Sequence, residues 1–450
     1  MKYQPDQSDE RSGGGMRAAI TRQVERLRGS GLAAIGRNTG WLMLEKLSRA
    51  ALSVTISAWV ARYLGPAQFS SIAYGLAVAV FLMPLAQLGF YGIVVRDFAR
   101  EPDRTAEIFG TAVLLRVVSG FTCFVIAVAA MLLTVDDFES RLVGILIAGQ
   151  LLFQTNEVID FWLQSRLESR IGVKSRLAAT FSVSALKVAL ILAGAPLWTF
   201  ALCISLEVAV ISLALTTAYR RHSTMGPLKF DGSRAKQLVK DGGPFLFAAL
   251  AVALCMRIDQ ILLRHLTSPM TLGLYAAVVQ FSQAGQILPQ SLLASMTPSL
   301  ARAAKAGQDQ FDRVSRTMFL TMGGIGLCTA IGILIVAPFV IPLFLGSAYV
   351  GAVPILQIYG FTNIFLALGN AWIAWASAAG RGTLVPINMA VGTLVSFAAN
   401  MLLIPVWGMV GAAIAANLAY ASSGLLMNVF TSRRALLLQL GIRKIRADLR

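Results

Sequence analysis

The chain has 450 residues, of which 56% are hydrophobic and only 14% are charged. Soluble domains carry roughly 25% charged residues, so this composition leaves too few polar side chains to cover a soluble globular fold. Disorder is excluded on the same grounds, because disordered chains are poor in hydrophobic residues. The formal net charge of +17 would indicate nucleic acid in a soluble protein, whereas in a membrane protein basic loops on one side of the bilayer explain it first.

Twelve apolar stretches are long enough to cross a bilayer, since a span needs about 20 mostly apolar residues. We expect transmembrane helices at 39–61, 69–94, 108–133, 141–164, 174–195, 197–219, 243–266, 271–299, 315–343, 351–378, 383–404 and 407–431. The connecting segments are short. The longest internal one, 220–242, is expected to contain a short surface helix that ends at Gly242 and Gly243. The pattern predicts an all-α integral membrane protein with no room for a soluble catalytic domain.

Basic residues fall on one side of this topology. If the amino terminus is cytoplasmic, 31 of the 39 Lys and Arg residues lie in the tails and cytoplasmic loops. The outer loops carry essentially none, and one of them contains the acidic residues Asp136, Asp137 and Glu139. The positive-inside rule then places both termini in the cytoplasm. These basic residues orient the protein and imply no nucleic-acid partner.

An internal repeat relates the two halves of the chain. Arg62 and Leu64 recur as Arg264 and Leu266, and FAR at Phe98–Arg100 recurs as LAR at Leu300–Arg302. Six spans separate the copies, so the halves have the same orientation. We therefore expect two six-helix lobes. The predicted domains are a basic tail 1–37, an N-lobe 38–219, a linker 220–242, a C-lobe 243–432 and a basic tail 433–450.

Ten charged residues lie inside the predicted spans, where a charge costs several kcal/mol unless it meets a partner or a water-filled cavity. They are Glu45, Lys46, Arg49, Arg116, Glu157, Asp160, Lys187, Glu207, Arg257 and Asp259. Glu45 and Arg49 are four residues apart, so we interpret them as an ion pair within one helix. Glu157 and Asp160 share a helix face and need a cation between them, which is Arg116, Lys187, a proton or sodium. Arg176, in the first turn of the predicted span 174–195, is counted with the basic residues of the cytoplasmic side.

Two interpretations of these charges stay open at this point. In the first, the ten residues pair with one another and hold the bundle together. In the second, they line a largely cationic, water-filled cavity near the N-lobe and span seven. Such a cavity would favour an anionic passenger, with phosphate ahead of carboxylate, because guanidinium groups donate paired hydrogen bonds to phosphate.

No cofactor, metal site or catalytic residue is expected from the cysteines and histidines. Cys123, Cys203, Cys255 and Cys328 lie singly in apolar stretches, which is typical of buried, inert thiols. The two histidines, His222 and His265, belong to no nucleophilic or metal-binding arrangement.

Two stretches resemble the O-antigen and polysaccharide flippases of the Wzx type. The first is ARYLGPAQF followed by the basic turn RDFAR, with Ser70 where the family often has glycine. The second runs through residues 240–305 and contains RID at Arg257–Asp259, GLYAA at Gly273–Ala277 and P-x-LAR at Pro298–Arg302. This family belongs to the multidrug/oligosaccharidyl-lipid/polysaccharide (MOP) superfamily, together with multidrug and toxin exporters (MATE) and the lipid II flippase.

The resemblance implies a V-shaped, MATE-like pair of lobes around a cationic cavity. It implies a transporter, not an enzyme, which moves an undecaprenyl-diphosphate-linked oligosaccharide to the outer leaflet of the bacterial inner membrane by alternating access. The product pathway would be O-antigen, lipopolysaccharide, capsule or exopolysaccharide synthesis. Partners would be membrane lipids, a polysaccharide polymerase and a chain-length regulator.

The resemblance also suggests roles for the intramembrane charges. Lys46, Arg49, Arg116, Lys187 and Arg257 would bind the diphosphate and glycan. Glu157, Asp160, Glu207 and Asp259 are candidates for coupling to a proton or sodium gradient.

Three alternatives are weighed against this interpretation. A drug or cation exporter would favour carboxylates and aromatics in its site, whereas the intramembrane charges here are balanced. A lipid II flippase usually has two more helices after the twelfth. A membrane enzyme such as a glycan polymerase would need a sizeable outer loop, and the outer loops here are short.

Overall fold

The computed structural model describes the backbone of residues 10–166, 169–222 and 229–442, and the side chains of residues 48–166, 171–220 and 229–442. The described residues form helices and no β-strand. In chain order the helices are α1 (Glu10–Gln87), α2 (Tyr91–Arg100), α3 (Thr105–Thr134), α4 (Phe138–Ala148), α5 (Gln150–Phe153), α6 (Glu157–Ser165), α7 (Ser169–Leu192), α8 (Leu197–His222), α9 (Gly232–Leu266), α10 (Pro269–Ala284), α11 (Ile287–Ala306), α12 (Gln308–Val340), α13 (Val353–Gly360), α14 (Thr362–Ala378), α15 (Leu384–Ala421), α16 (Asn428–Thr431) and α17 (Arg433–Gln439). We refer to residues 48–220 as the first half and to residues 229–442 as the second half.

The predicted all-α membrane fold is confirmed. Nine helical segments among the described residues are long and apolar enough to cross a membrane. Two of them, Ser48–Arg100 with 53 residues and Leu384–Thr431 with 48, are long enough for two crossings each. Each is interrupted by a glycine in the left-handed region, Gly65 with φ 73° and Gly408 with φ 53°. A residue without Cβ adopts this conformation at no steric cost. Gly65 divides its segment inside the predicted turn 62–68, and Gly408 divides its segment two residues after the predicted turn 405–406.

The predicted eighth span has no counterpart among these nine segments. Residues 271–299 lie on α10 and α11, which are separated at Gly285 and Gln286. The polar side chains Gln280, Gln283 and Gln290 lower the hydropathy of this region. The total of twelve spans therefore stays a prediction.

Helix starts in the loops follow from capping side chains. Asp137 accepts a hydrogen bond from the Ser140 backbone N–H at 2.8 Å, and Asp231 accepts one from the Arg234 N–H at 2.8 Å. These side chains satisfy backbone donors that the first turn leaves unpaired. The hydrogen bond from Ser140 also lowers the pKa of the Asp137 carboxyl.

The expected break at Gly242 and Gly243 does not occur, because α9 continues from Gly232 to Leu266 through Pro244. Gly242 instead allows two backbones to meet, since a Cβ there would lie 2.5 Å from the carbonyl oxygen of Leu88. This contact joins the start of the second half to the end of α1, at what we call the basic end of the bundle, where Arg100 and Arg104 also lie.

The two halves also meet at the opposite, far end, around the Gly65 turn. Arg62 Nη1 donates to the Leu343 carbonyl oxygen at 3.1 Å, and the Tyr349 hydroxyl donates to the Ala61 carbonyl oxygen at 2.9 Å. A Cβ on Gly273 would lie 1.8 Å from the Pro66 carbonyl oxygen. The far end is therefore closed by direct contacts between the halves.

Candidate functional site

Three cavities adjoin one another along α1. The first-half cavity, of about 650 Å³, is enclosed by α1–α3 and α5–α8. The seam cavity, of about 340 Å³, lies where α1, α7 and α8 meet α9 and α10 of the second half. The bridging cavity, of about 320 Å³, shares Arg49 with the first-half cavity and Ser53, Thr180 and Glu207 with the seam cavity.

One face of α1 runs through all three cavities. Arg49, Ser53 and Ser57 are spaced four residues apart, so their side chains lie above one another on the helix. The eight residues between Arg49 and Ser57 span about 12 Å at 1.5 Å per residue. The cavities thus form one polar path from the basic end toward the closed far end.

Most of the predicted site residues lie on this path. The predicted residues that line it are Arg49, Arg116, Glu157, Asp160, Lys187, Glu207 and Arg257. The side chain of Lys46 lies outside the described residues. Asp259 is absent from the three described linings, and its surroundings are given below. Among the described residues that line the path, five are basic and three are acidic, so the path is net cationic.

The fifth basic residue, Arg176, shows an error in the sequence interpretation. Arg176 was counted with the cytoplasmic loop residues although the predicted span 174–195 includes it, and α7, which begins at Ser169, carries it into the wall of the first-half cavity. Its Nη1 lies 2.8 Å from Asp160 Oδ1. The sequence signal was weak, because the partners are on different helices and their spacing in the chain reveals no shared face.

The sequence interpretation allowed a single cation between Glu157 and Asp160, but in the structure the two carboxylates pair with different cations. Glu157 pairs with Arg116 at 2.8 Å and Asp160 with Arg176 at 2.8 Å. Glu207 lies 3.5 Å from Lys187. Each carboxylate therefore has its own basic partner on a neighbouring helix.

A break in the fourth predicted span brings Glu157 to Arg116. Instead of one helix over 141–164, the chain forms α4, α5, a tight turn at Gln154–Asn156 and then α6. Gly120, one turn after Arg116 on α3, allows this irregular backbone to approach, since a Cβ there would lie 2.7 Å from the Leu151 carbonyl oxygen. Small residues permit close helix contact in membranes.

Arg116 holds Glu157 in position from behind. The Arg116 side chain is only 1% exposed, whereas that of Glu157 is 41% exposed. Arg116 uses Nη2 for the carboxylate, and its buried Nε and Nη1 have no hydrogen-bond partner among the described residues. At this pair the carboxylate is therefore the group exposed to the cavity, and the guanidinium lies behind it.

Arg257 differs from these paired cations. It lines the seam cavity, and its Nη1 lies 3.4 Å from Gln260 Oε1. No carboxylate of the described residues lies within 4.0 Å of it, and its buried Nε has no hydrogen-bond partner there. An anion in the seam cavity could therefore bind Arg257 without displacing a carboxylate.

Asp259 forms no ion pair with Arg257 within 4.0 Å, although the two residues are only two apart in the chain. It is buried, and the Tyr275 hydroxyl donates to its Oδ2 at 2.5 Å. Its Oδ1 accepts from the Gln260 backbone N–H at 2.7 Å. Tyr359 packs edge-on against Tyr275 with ring centroids 6.0 Å apart. Asp259 thus has hydroxyl and amide partners, whereas the three described acidic residues that line the cavities, Glu157, Asp160 and Glu207, have cations.

Amide and aromatic side chains form much of the remaining wall of the first-half cavity, and the sequence interpretation missed them because it considered only charges. They are Gln87, Gln150, Gln154, Asn156, Gln164, Phe90, Tyr91, Phe153 and Phe161. The amides concentrated in residues 150–164, inside a predicted span, were the available signal.

A family model described as a polysaccharide biosynthesis protein matches residues 35–304, well over half of the chain. The chain belongs to this family. The matched range contains every described residue that lines the three cavities, from Arg49 to Gln283. The predicted family is therefore confirmed.

Solved structures show the fold of this family member. A multidrug resistance MATE family transporter of the MOP superfamily, in an inward-facing conformation, matches with a TM-score of 0.69 and 15% identity, over 87% of this chain and 96% of that chain. The lipid II flippase MurJ, in an inward closed conformation, matches with a TM-score of 0.67 and 11% identity, over 88% of this chain and 89% of that chain.

A third similar structure is a MOP superfamily transporter from Pyrococcus furiosus, whose binding pocket is described as having reverse polarity. It has a TM-score of 0.60 and 16% identity, over 90% of this chain and 96% of that chain. Among curated proteins, no sequence matches this chain. The structural matches confirm the MOP fold and a multi-pass membrane protein.

Proposed function

We propose that the protein is a flippase that moves a polyprenyl-diphosphate-linked oligosaccharide from the cytoplasmic to the outer leaflet. The observation that carries the proposal is Arg257, a cation without a carboxylate partner among the described residues, in a cavity between the two halves. Its planar guanidinium matches the geometry of phosphate oxygens. Membership of a polysaccharide biosynthesis family supports a glycan as the remainder of the substrate.

Transport in this proposal follows alternating access. The diphosphate binds at the seam, where α9 and α10 of the second half meet α1, α7 and α8 of the first. Outward opening then requires the far-end contacts of Arg62 with Leu343 and of Tyr349 with Ala61 to break. The polyprenyl tail stays in the bilayer, and only the polar headgroup passes along the path.

The proposal extends to the setting of the protein. We place it in the bacterial inner membrane with both termini in the cytoplasm and with undecaprenyl diphosphate as the carrier. Its pathway is the synthesis of O-antigen, capsule or exopolysaccharide, and the polymerase and the chain-length regulator are its partners. It has no catalytic residue and acts as a transporter.

Coupling to an ion gradient is assigned to Asp259. Glu157, Asp160 and Glu207 each have a cationic partner, whereas Asp259 has a hydroxyl donor and lies two residues from Arg257. Intramembrane carboxylates mark proton and ion relays. A proton or sodium ion at Asp259 would act next to the residue that binds the phosphate.

The test is a leaflet-exposure assay in proteoliposomes. Purified protein is reconstituted with polyprenyl-diphosphate-linked oligosaccharide, and an impermeant glycosidase reports the sugar on one leaflet. We expect wild-type protein to move the lipid and Arg257→Gln to slow it at least about tenfold, the rate equivalent of ~1.4 kcal/mol. The matched control is Arg302→Gln, which removes an exposed arginine outside the cavities. Equal rates for Arg257→Gln and wild type would refute the phosphate assignment.

A drug or cation exporter is the second candidate. The 41% exposed Glu157 carboxylate in the first-half cavity and the structural likeness to a multidrug transporter favour it. Efflux of cationic dyes from cells that express the protein separates the two functions, since a flippase predicts no efflux above the background of the empty vector.

A further inference from the structure

We propose that the first-half cavity is a saccharide subsite, which binds the neutral sugar residues next to the diphosphate while the diphosphate itself lies in the seam cavity. The inference rests on the proposed function. It assigns different parts of one substrate to two cavities whose walls differ in chemistry.

One wall of the first-half cavity is a connected series of polar groups. The Tyr91 hydroxyl donates to Gln164 Oε1 at 3.0 Å, and Gln164 Nε2 donates to Asp160 Oδ2 at 2.8 Å. Arg176 anchors the far oxygen of Asp160 at 2.8 Å. Sugar hydroxyls are both donors and acceptors, so they need a surface that offers amide N–H groups together with carbonyl and carboxylate oxygens.

A second polar group faces the same cavity. Gln87 Nε2 donates to Gln154 Oε1 at 3.2 Å and lies 3.5 Å from Glu157 Oε2. A few well-placed polar groups of this kind fix the orientation of a ligand in a largely apolar pocket. The cavity volume of about 650 Å³ falls in the range of about 300–1,000 Å³ that is typical of small-molecule sites.

Aromatic rings supply the apolar part of the lining. Tyr91 is 60% exposed and Phe153 is 40% exposed, although both line the cavity. Tyr91 packs edge-on against Phe161 with centroids 5.3 Å apart, which holds its ring in one orientation. Rigid ring faces with a polar tip are suited to the C–H faces and hydroxyl edges of a pyranose.

The charges of this wall are paired in two different ways. Arg116 is 1% exposed and lies behind the 41% exposed Glu157 carboxylate, whereas Arg176 and Asp160 are exposed to a similar extent, 16% and 15%. Arg49 adds a cation where this cavity meets the bridging cavity.

A phosphate or an acidic sugar near Gln87 and Gln154 would meet the exposed Glu157 carboxylate, and like charges at close range are costly. The seam cavity offers Arg257 instead. The substrate class is accordingly a glycan whose first sugars carry hydroxyl or acetamido groups and no charge.

The two subsites are placed at a suitable separation. The bridging cavity joins them, and Arg49 and Ser53 lie on successive turns of α1 between the first-half cavity and the seam. The path of about 12 Å along α1 from Arg49 to Ser57 is comparable to the length of a diphosphate joined to its first sugars.

The test compares two lipids on purified full-length protein in nanodiscs. One probe is polyprenyl diphosphate without sugar, and the other is lipid-linked oligosaccharide extracted from a strain that lacks this gene. Wild-type protein should bind the glycosylated lipid about tenfold more tightly, the equivalent of ~1.4 kcal/mol. Gln164→Leu should remove that difference without weakening the bare lipid, and Arg257→Gln should weaken both lipids equally.

Tyr91→Phe, which removes one hydroxyl and keeps the ring, should weaken only the glycosylated lipid about threefold to tenfold, as expected for one hydrogen bond. Gln308→Leu, at an exposed glutamine outside the cavities, is the control and should change neither affinity. Equal weakening of both lipids by Gln164→Leu, or no weakening by Gln164→Leu and Tyr91→Phe together, would overturn the saccharide subsite. Failure of wild-type protein to bind either lipid would instead overturn the proposed function.

Discussion

The two halves of the bundle bury their polar groups in different ways. In the described part of the first half, cavity-lining charges form ion pairs across helices, such as Arg116 with Glu157 and Lys187 with Glu207. In the described part of the second half, buried amides connect helices, as in the hydrogen bonds of Asn363 to Ser282 and of Asn388 to Asn428. The free-energy cost of an intramembrane charge is lower where a water-filled path hydrates it, whereas amide hydrogen bonds are suited to dry contacts between helices. We infer that the first half forms most of the ligand surface. The second half, whose helices are connected by buried amide hydrogen bonds, contributes Arg257.

The largest effect tests whether the first-half pairs are held by their buried member. Glu157→Leu leaves the 1% exposed Arg116 without a counter-charge, which should cost about 3–5 kcal/mol of unfolding free energy. Arg116→Leu should cost less, because the remaining carboxylate is 41% exposed and keeps contact with water. Unfolding by denaturant in detergent measures both. The double variant should recover most of the loss, and a larger cost for Arg116→Leu than for Glu157→Leu would contradict this account.

The next effect tests the junction of the halves. Gly273→Ala adds a Cβ that would lie 1.8 Å from the Pro66 carbonyl oxygen, so the far-end contact must separate or distort. We expect a loss of about 1–3 kcal/mol, measured by thermal unfolding. Gly324→Ala is the matched control, because no heavy atom lies within 4 Å of its added Cβ. Equal stability of the two alanine variants would show that the halves do not pack closely at this point.

A smaller effect is expected in the second half. Asn363 is fully buried and donates to Ser282 Oγ and to the Gly360 carbonyl oxygen, both at 2.9 Å. Asn363→Leu should cost about 1–2 kcal/mol, the range of hydrogen bonds between membrane helices. Affinity for the bare polyprenyl diphosphate should not change in the folded protein. A loss of affinity together with stability would show that this amide network also shapes the site.

The smallest effect concerns the basic end of the bundle, where Glu101, in the loop between α2 and α3, pairs with Arg234 of α9. The hydrogen bond from Arg234 lowers the pKa of Glu101 below its ordinary value of 4.5. Because the folded protein lowers this pKa, the stabilisation is complete above pH 4.5 and is lost as the pH falls through the lower folded value. Thermal unfolding of wild type and of Glu101→Gln should differ at neutral pH and converge in acid. A difference that persists in acid would assign the effect to something other than this carboxylate.

The sequence predicted the fold and selected most of the charged residues that line the cavities, because both follow from strong physical costs. Apolar length fixes where a membrane helix is possible, and a charge inside such a helix must meet a cavity or a partner. For this reason Arg49, Arg116 and Arg257 were selected from the sequence as candidate site residues, and all three line the cavities. These physical costs left open which cation meets which carboxylate, since that depends on tertiary packing.

The errors have identifiable physical causes. Arg176 was counted with the cytoplasmic loop residues because helix ends are hard to place from hydropathy alone, and α7 begins earlier than predicted. Gly242 was interpreted as a helix end, although its role is close contact with Leu88. The amides of the first-half cavity, such as Gln154 and Gln164, carry no charge. A search for charged residues inside the spans therefore did not select them.

The central claim is that a cation without a carboxylate partner at the seam binds the diphosphate. The most direct measurement is the affinity of purified full-length protein in nanodiscs for polyprenyl diphosphate without sugar, compared between wild type, Arg257→Gln and the Arg302→Gln control. The account predicts that Arg257→Gln weakens binding about tenfold or more, equivalent to at least ~1.4 kcal/mol, while Arg302→Gln keeps wild-type affinity. Wild-type affinity in Arg257→Gln would contradict it.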